Sequence, residues 1–149
     1  MDGMREERER TMNWNARFET GSSLLTLTAS GVARVDGFRE YLEGVLSDPS
    51  WEPGTAALLD FRDLRLEHLS FREVEEIVAL HVPHVTRIGN SPMAVVVSRP
   101  VDFGLVRMWE SLAADMFPMH SVFYEVDEAL TWLRGKQRRA AEGLSPAAD

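Results

Sequence analysis

The first regular pattern in the chain is an alternation of apolar and polar residues over two short runs, 14–19 and 23–29. In the second run Leu25 and Leu27 are separated by threonines, which is the two-residue period of a strand with one buried face. The residues between the runs, Thr-Gly-Ser at 20–22, are of the kinds that turn a chain tightly. The pattern predicts a β-hairpin at the start of the folded domain.

Four later segments place apolar residues three and four positions apart, which is the spacing of helices that bury one face. These stripes are Phe38, Tyr41, Leu42, Val45 and Leu46; Val74, Ile77, Val78, His81 and Val85; Leu105, Val106, Trp109, Leu112, Ala113 and Met116; and Ala129, Leu130, Trp132 and Leu133. Asp36 and Asp127 are expected to cap the first and last helices, and Pro83 to end or kink the second. Ser70 followed by Glu73 has the spacing of a capping box, which predicts the start of the second helix.

Two unbroken apolar runs, 56–59 after Thr55 and 93–97, predict strands that are covered on both faces, as the central strands of a parallel sheet are. A shorter run at 121–125 predicts one more strand. The resulting order is β-β-α-β-α-β-α-β-α. It predicts an α/β fold with a mostly parallel sheet of about five strands, the first antiparallel, covered by about four helices.

The two ends of the chain differ from this central part. Residues 1–13 carry mixed charge and residues 135–149 have little to bury, so both segments are predicted to be disordered. The 149 residues suit one domain, expected at 14–134, and neither an internal repeat nor a second domain is evident.

Charge and composition exclude several classes of function. The chain has 16 Lys and Arg against 24 Asp and Glu, and its formal net charge of −8 repels the phosphate backbone of a nucleic acid. Cysteine is absent, which removes disulfides, thiolate zinc sites and cysteine nucleophiles. No apolar run approaches the roughly 20 residues of a membrane span and no signal peptide is recognisable, so we expect a cytoplasmic protein without a membrane span.

Several segments together resemble the SpoIIAA-like branch of the STAS family. They are Leu-Leu-Asp-Phe-Arg-Asp-Leu at 58–64, the helix start at Ser70, the apolar strand at 93–97, and the ending Val-Phe-Tyr-Glu-Val-Asp-Glu-Ala-Leu-Thr-Trp-Leu at 122–133. The likeness spans residues 14–133. It implies a STAS-like fold and a regulatory role rather than catalysis.

The resemblance also draws attention to the start of the second helix. In the anti-sigma-factor antagonists of the wider family, a serine of an Asp-Ser-Ser-Gly element at this place is phosphorylated to switch partner binding. The matching stretch here is His-Leu-Ser-Phe at 68–71. If the phosphoacceptor position falls at Leu69, the phosphoserine switch is absent, and Ser70 is the residue that could replace it.

The four histidines are the candidate metal ligands. His81 and His84 could share a helical face and join His68 or His120 in an imidazole site. Against this, Pro83 breaks the spacing between them, and His81 lies on an apolar stripe, which favours a satisfied, partly buried histidine. We therefore expect no metal.

Other catalytic signals are weak. The sequence contains no glycine-rich nucleotide loop, nucleophile elbow or zinc-protease motif. Asp60 and Asp63 could form an acid–base pair, although carboxylates after a strand commonly form turns and caps. We expect no cofactor and no enzymatic activity.

The candidate binding site lies where the two buried strands end, because open α/β sheets place ligands at the carboxyl ends of their strands. The residues predicted to form it are Ser98, Arg99, Phe103 and Arg107. They combine polar, cationic and aromatic groups, and the free amides of a helix start could help them to receive an anion. The alternative is that Arg99 and Arg107 are solvated or pair with Asp102 and Glu110 on a net acidic surface.

Large apolar residues near the third helix form a second candidate surface. Phe103, Met108, Phe117 and Met119 could line a partner groove, a lipid-sized pocket or a second layer of core. The predicted function is a non-catalytic regulatory module that binds a protein partner through its second and third helices. The alternative is a carrier or sensor of a small apolar or anionic, lipid-like ligand held between sheet and helices. A homodimer is compatible with either.

Overall fold

Helices and strands alternate after an initial hairpin within residues 11–143, which the computed structural model describes. The strands are β1 (Met12–Glu19), β2 (Leu24–Val32), β3 (Ala56–Arg65), β4 (Met93–Val96) and β5 (His120–Phe123). The helices are α1 (Val35–Ser47), α2 (Phe71–His81), the single-turn α3 (Val85–Ile88), α4 (Pro100–Ala113) and α5 (Val126–Ala141), with a 3₁₀ turn at Val82–His84. None of these helices is long and apolar enough to cross a lipid bilayer.

The strands of this part of the chain form one sheet in their chain order, β1-β2-β3-β4-β5. β1 pairs with β2 antiparallel, and every other neighbouring pair is parallel, which confirms the predicted α/β fold. Crossovers between parallel strands are right-handed, and here each new strand is added on the same side of the previous one. For that reason α1, α2 and α4 all lie on one face of the sheet. The chain passes to the other face after β5, where α5 covers β3 and β4.

Two hydrophobic cores result, one on each face of the sheet. The larger core lies under α1, α2 and α4 and includes Leu27, Leu59 and Val95 from the sheet. The smaller core lies under α5 and includes Leu58 and Val96. Successive residues at 56–59 of β3 and throughout β4 point to opposite faces and are buried in both directions. This is why their sequences read as unbroken apolar runs.

The predicted hairpin is confirmed, and it packs on α1. Met12 of β1 lies so close to Gly37 that a Cβ atom on this glycine would come within 2.5 Å of the methionine sulfur. β1 begins at Met12, which pairs with Gly31 of β2, so the end of the predicted disordered leader, 1–13, is wrong. The prediction of disorder for residues 1–10 lies outside the described residues.

The last helix extends beyond the predicted end of the domain at residue 134. α5 continues to Ala141, so residues 135–141 of the predicted disordered tail are helical. Gln137 Nε2 donates a hydrogen bond of 2.8 Å to the carbonyl oxygen of Ser22, so a contact distant in sequence holds this part of the helix. The prediction for residues 144–149 lies outside the described residues.

Helices α1 and α5 begin earlier than their predicted caps. Arg34 and Glu125 occupy the N-cap positions in extended conformation, and neither side chain makes a capping hydrogen bond. Asp36 and Asp127 lie instead in the first turns, where a carboxylate still interacts favourably with the positive end of the helix dipole. Each helix follows its strand after a connection of only two residues, so it starts before the chain reaches the aspartate.

Of the predictions for the two middle helices, one is confirmed and one is partly wrong. The break predicted at Pro83 is confirmed, because α2 ends at His81 and the chain continues through the 3₁₀ turn into α3. The predicted stripe of α4 is partly wrong. This helix ends at Ala113, and Leu112, which the spacing places on the buried face, is 40% exposed.

Candidate functional site

The parallel strands β3, β4 and β5 run toward one edge of the sheet, and α2, α4 and α5 begin there. We call this edge, formed by residues 62–71, 97–103 and 123–126, the carboxyl edge. The strand order contains no reversal between β2 and β5, so the sheet does not open the crevice that a reversal creates between helices on opposite faces. What the carboxyl edge offers is a surface built from connections and helix starts.

The structure brings three of the four predicted site residues to the carboxyl edge. Ser98 and Arg99 lie in the connection from β4 to α4, and Phe103 lies in the first turn of α4. Arg107 is two turns into the helix, about 10 Å along its axis from Pro100 at 1.5 Å per residue. Its side chain is 68% exposed, and its Nε lies 3.9 Å from a carboxylate oxygen of Glu110, too far for a hydrogen bond.

Arg99 is held by two carboxylates. Its Nε donates to Asp102 Oδ2 at 2.8 Å and its Nη2 to Asp102 Oδ1 at 3.2 Å. Its Nη1 and Nη2 donate to the two carboxylate oxygens of Glu67 at 3.2 and 2.5 Å. The pairing of Arg99 with Asp102 is therefore present, and an incoming anion would have to compete with two carboxylates for the guanidinium.

Asp102 connects this ion pair to the interior. Its side chain has no exposed surface, and its Oδ1 also accepts a hydrogen bond of 3.2 Å from the backbone N–H of Leu66. The carboxylate thus ties the start of α4 to the connection that follows β3. Hydrogen bonds to Glu67 and Asp102 raise the pKa of Arg99, and the hydrogen bond from Arg99 lowers the pKa of Glu67. Arg99 and Glu67 therefore stay charged, and their hydrogen bonds keep the two connections together.

A second charged pair lies beside the first. Arg62 Nε and Nη2 donate to the two oxygens of Asp60 at 2.9 and 2.8 Å, and this hydrogen bonding lowers the pKa of Asp60. A carboxylate held in this way is a poor proton donor, so the geometry favours the structural interpretation of Asp60 over acid–base catalysis. The hydroxyl of Ser98 donates a hydrogen bond of 2.7 Å to the carbonyl oxygen of Arg62, which joins β3 to the connection after β4.

Exposed apolar side chains lie at the same carboxyl edge as these charged pairs. Phe71 is 56% exposed at the first position of α2, and Val101 is 50% exposed at the second position of α4. Phe103 stacks on Tyr124 with ring centroids 4.7 Å apart, and Tyr124 is itself 44% exposed. Sequence reasoning missed Phe71, Val101 and Tyr124. The available signal was their position off the buried stripes at helix starts.

The other apolar candidates near α4 are mostly core. Phe117 and Met119 are buried, and Phe117 belongs to the larger core. Met108 is half-buried. Phe117 and Met119 are therefore core residues, one of the three roles predicted for this set. Of its four members, only Phe103 lies at the carboxyl edge.

Ser70 caps α2, as its spacing from Glu73 predicts. Its Oγ accepts a hydrogen bond of 3.1 Å from the backbone N–H of Glu73, and the Glu73 carboxylate accepts one of 3.0 Å from the backbone N–H of Ser70. Leu69 is half-buried and packs against the larger core. Neither position is free of a structural role.

Among the residues that the structure describes, no three His, Asp or Glu side chains are placed so that they could hold a metal ion. His81 is buried, and its Nδ1–H donates to the carbonyl oxygen of Ile77 at 2.7 Å. Burial lowers the pKa of His81 to about 4, so the ring is neutral near pH 7. Its ring packs against those of Trp109 and Phe117, with ring centroids 5.1 and 5.6 Å away, as a core residue does.

With this geometry established, the fold is recognised as SpoIIAA-like. One similar solved structure is an uncharacterised protein of the DUF3478 family with a SpoIIAA-like fold from Shewanella loihica PV-4. It has a TM-score of 0.54 and 19% identity, and the match covers 82% of this chain and 93% of that one. Another is an anti-sigma factor antagonist from Mycobacterium paratuberculosis, with a TM-score of 0.56, 16% identity, and coverage of 84% of this chain and 96% of that one.

These likenesses establish the fold. No protein-family model matches the chain, and no protein with curated function matches it. Neither similar structure is described as an enzyme.

Proposed function

We propose that this protein is a non-catalytic regulatory module that binds a protein partner through its carboxyl edge. The observation that carries the proposal is that three exposed apolar side chains, Phe71, Val101 and Tyr124, lie at the same edge as the paired charges of Arg99 and Glu67. Aromatic residues and arginine are enriched at protein interfaces, where a few such side chains carry most of the binding energy.

The charged pairs prepare this surface for binding. Asp102, Arg99 and Glu67 link the start of α4 to the connection before α2, so the elements that carry Val101 and Phe71 are held relative to each other. A surface that is ordered before the encounter loses less conformational entropy on binding. In this proposal Arg99 positions the interface, and the apolar side chains supply most of the contact.

The similar structure described as an anti-sigma factor antagonist supports a protein as the partner. The roles of Ser70 and Leu69 support a further part of the proposal, that binding is not switched by phosphate at the start of α2. Ser70 Oγ is engaged in the capping box, and Leu69 packs against the core.

The experiment compares two exposed apolar residues at opposite ends of α2. Phe71 is 56% exposed at the carboxyl edge, and Val82 is 57% exposed directly after the end of the helix. Wild type, Phe71→Ser and Val82→Ser are used to co-purify partners from the cells in which the protein naturally occurs. The affinity for any recovered protein is then measured with purified components.

We expect a partner that binds wild type and Val82→Ser alike and binds Phe71→Ser at least about tenfold more weakly, the effect of losing about 1.4 kcal/mol. Thermal melting of all three proteins checks that the loss is not one of folding. Equal binding by all three, or a loss confined to Val82→Ser, would place the interface elsewhere.

A further inference from the structure

A cavity of about 90 Å³ lies in the larger core, between the sheet and helices α1, α2 and α4. Its walls come from every layer of this side of the protein. They include Leu27, Ala57 and Val95 from the strands and Tyr41, Ile77 and Val106 from the helices. Protein interiors are normally packed so closely that voids larger than a water molecule are few. A void of this size is therefore unusual, and it is large enough to hold a small molecule.

The lining excludes a charged guest. It contains no Asp, Glu, Lys or Arg, and its polar side chains are those of Tyr41, Trp51, His81, Trp109 and His120. Two of these have hydrogen-bond partners in the protein: the indole of Trp51 donates to the carbonyl oxygen of Arg87 at 2.7 Å, and Nδ1 of His81 to that of Ile77 at 2.7 Å. A charged ligand would lose its water here without gaining an opposite charge.

The polar atoms without partners do not change this conclusion. Trp109 Nε1 and His120 Nδ1 make no hydrogen bond, but both atoms are enclosed by neighbouring side chains so that a water molecule cannot touch them. A guest in the cavity therefore meets mostly carbon surfaces. Apolar cavities of this kind stay dry and take up apolar molecules.

The volume limits the size of the guest. An engineered cavity of about 150 Å³ in another protein binds benzene or xenon, so 90 Å³ suits a molecule of at most about six heavy atoms. A long acyl chain is too large unless the core opens. We propose that this cavity is a binding site for one small, uncharged, apolar molecule. This site is enclosed in the core and differs from the exposed surface of the carboxyl edge, although Leu66 and Leu69 of that edge also line it. Of the lipid-like or anionic ligands predicted from the sequence, it would admit neither a long lipid nor an anion.

The four tryptophans provide an internal readout. Trp51 and Trp109 line the cavity, whereas Trp14 packs on Tyr41 from the hairpin and Trp132 lies on the opposite face of the sheet. Their indole N–H signals can be followed in ¹H–¹⁵N spectra while xenon or benzene is added, with Trp→Phe variants for assignment. We expect saturable shifts of the Trp51 and Trp109 signals and an unchanged Trp132 signal.

A matched pair of substitutions tests the location. Ala57→Val adds two carbons to the cavity wall, whereas Ala114→Val adds the same two carbons at an exposed position after α4. We expect Ala57→Val to weaken benzene and xenon binding at least tenfold and Ala114→Val to leave it unchanged. Val95→Ile is a second filling variant, with one added carbon, for use if Ala57→Val does not fold.

Two further probes test the chemical class. Benzoate carries a charge on a ring of the same size, and dodecanol carries a long chain, so both should bind more weakly than benzene. The proposal would be overturned by the absence of saturable shifts with both xenon and benzene, or by shifts that include Trp132. Tighter binding of benzoate or dodecanol, or binding that survives the filling variants, would overturn it equally.

Discussion

The two faces of the sheet are covered in different ways. On one face a single helix, α5, lies close to the strands, and three alanines at this contact, Ala56, Ala94 and Ala129, have no exposed surface. On the other face three helices enclose the larger core, which contains the cavity and the buried ring of His81. Small side chains allow a helix to approach a sheet closely. Large side chains that converge from three helices fill the space less completely.

Because of this difference, we expect the larger core to affect binding as well as stability and the smaller core to affect stability alone. The elements α2 and α4 form walls of the cavity, and their first turns carry Phe71 and Val101 of the carboxyl edge. Changes in the larger core can therefore reach both proposed sites. Changes in the smaller core are expected to alter the free energy of unfolding while leaving the binding surfaces in place.

The largest expected effect is on the smaller core. Leu133 is 1% exposed in α5, the helix that covers this face, so Leu133→Ala should lower the free energy of unfolding by about 3 kcal/mol. Leu112→Ala, at a position that is 40% exposed, is the control and should cost about 0.5 kcal/mol or less. Urea denaturation measures both. Equal costs would show that α5 contributes little to the core.

Neighbouring alanines of β3 compare the two faces directly. Ala56 faces α5 and Ala57 faces the cavity, and both are buried. Ala56→Val should cost about 1–3 kcal/mol because the added carbons have no space. Ala57→Val should cost less than about 0.5 kcal/mol or stabilise the protein, because it fills a void. If the two variants unfold at the same urea concentration, the faces do not differ in packing.

A pH-dependent effect is expected from the larger core. Burial lowers the pKa of His81 to about 4, so below its ordinary pKa the unfolded chain binds a proton that the folded protein does not. The stability from this group is therefore present at neutral pH and is lost as the pH falls. The loss should be about 2 kcal/mol between pH 7.5 and pH 5.

The variant His81→Asn removes this titration and keeps a donor near the carbonyl oxygen of Ile77. Its free energy of unfolding should therefore vary less between pH 7.5 and pH 5 than that of wild type. His68→Asn is the control, since the side chain of His68 is 60% exposed. A similar pH dependence in wild type and His81→Asn would contradict the assignment to His81.

The smallest expected effect concerns the start of α2. Ser70→Ala removes the side-chain cap and should cost about 1 kcal/mol, whereas Ser70→Asp keeps a capping oxygen and should cost less. Both variants should bind the partner of the carboxyl edge as wild type does. Loss of the partner with Ser70→Asp alone, at unchanged stability, would instead indicate a phosphate switch at Ser70.

Much of the fold could be predicted because its signals are local. The two-residue period of the hairpin, the doubly buried runs of β3 and β4, the capping box at Ser70 and the break at Pro83 each depend on residues close together in the chain. Apart from the exposed Leu112, the predictions that failed concern ends of elements. Met12 pairs with Gly31 of β2 and contacts α1, and Gln137 is held by the carbonyl oxygen of Ser22, 115 residues away.

The position of the candidate site could be predicted from the sequence, but the pairing of Arg99 with Glu67 could not. Ser98, Arg99 and Phe103 lie at the carboxyl edge, as the strand ends indicate. The partner Glu67 lies 32 residues before Arg99, so no short-range pattern connects them. Whether these residues bind a ligand or partner stays a prediction. The exposed apolar residues lie off the buried stripes, but this position alone does not establish their exposure, because burial depends on which helix faces lie against the sheet.

The sequence by itself determined which segments become strands and helices, since periodicity and capping act over a few residues. It also determined that β3 and β4 are central, since their apolar runs leave no polar face. The tertiary structure alone decided which face each helix covers, which carboxylates hold Arg99, and where the larger core leaves a cavity. These features depend on packing between residues that are far apart in the chain, and that packing exists once the strands have paired.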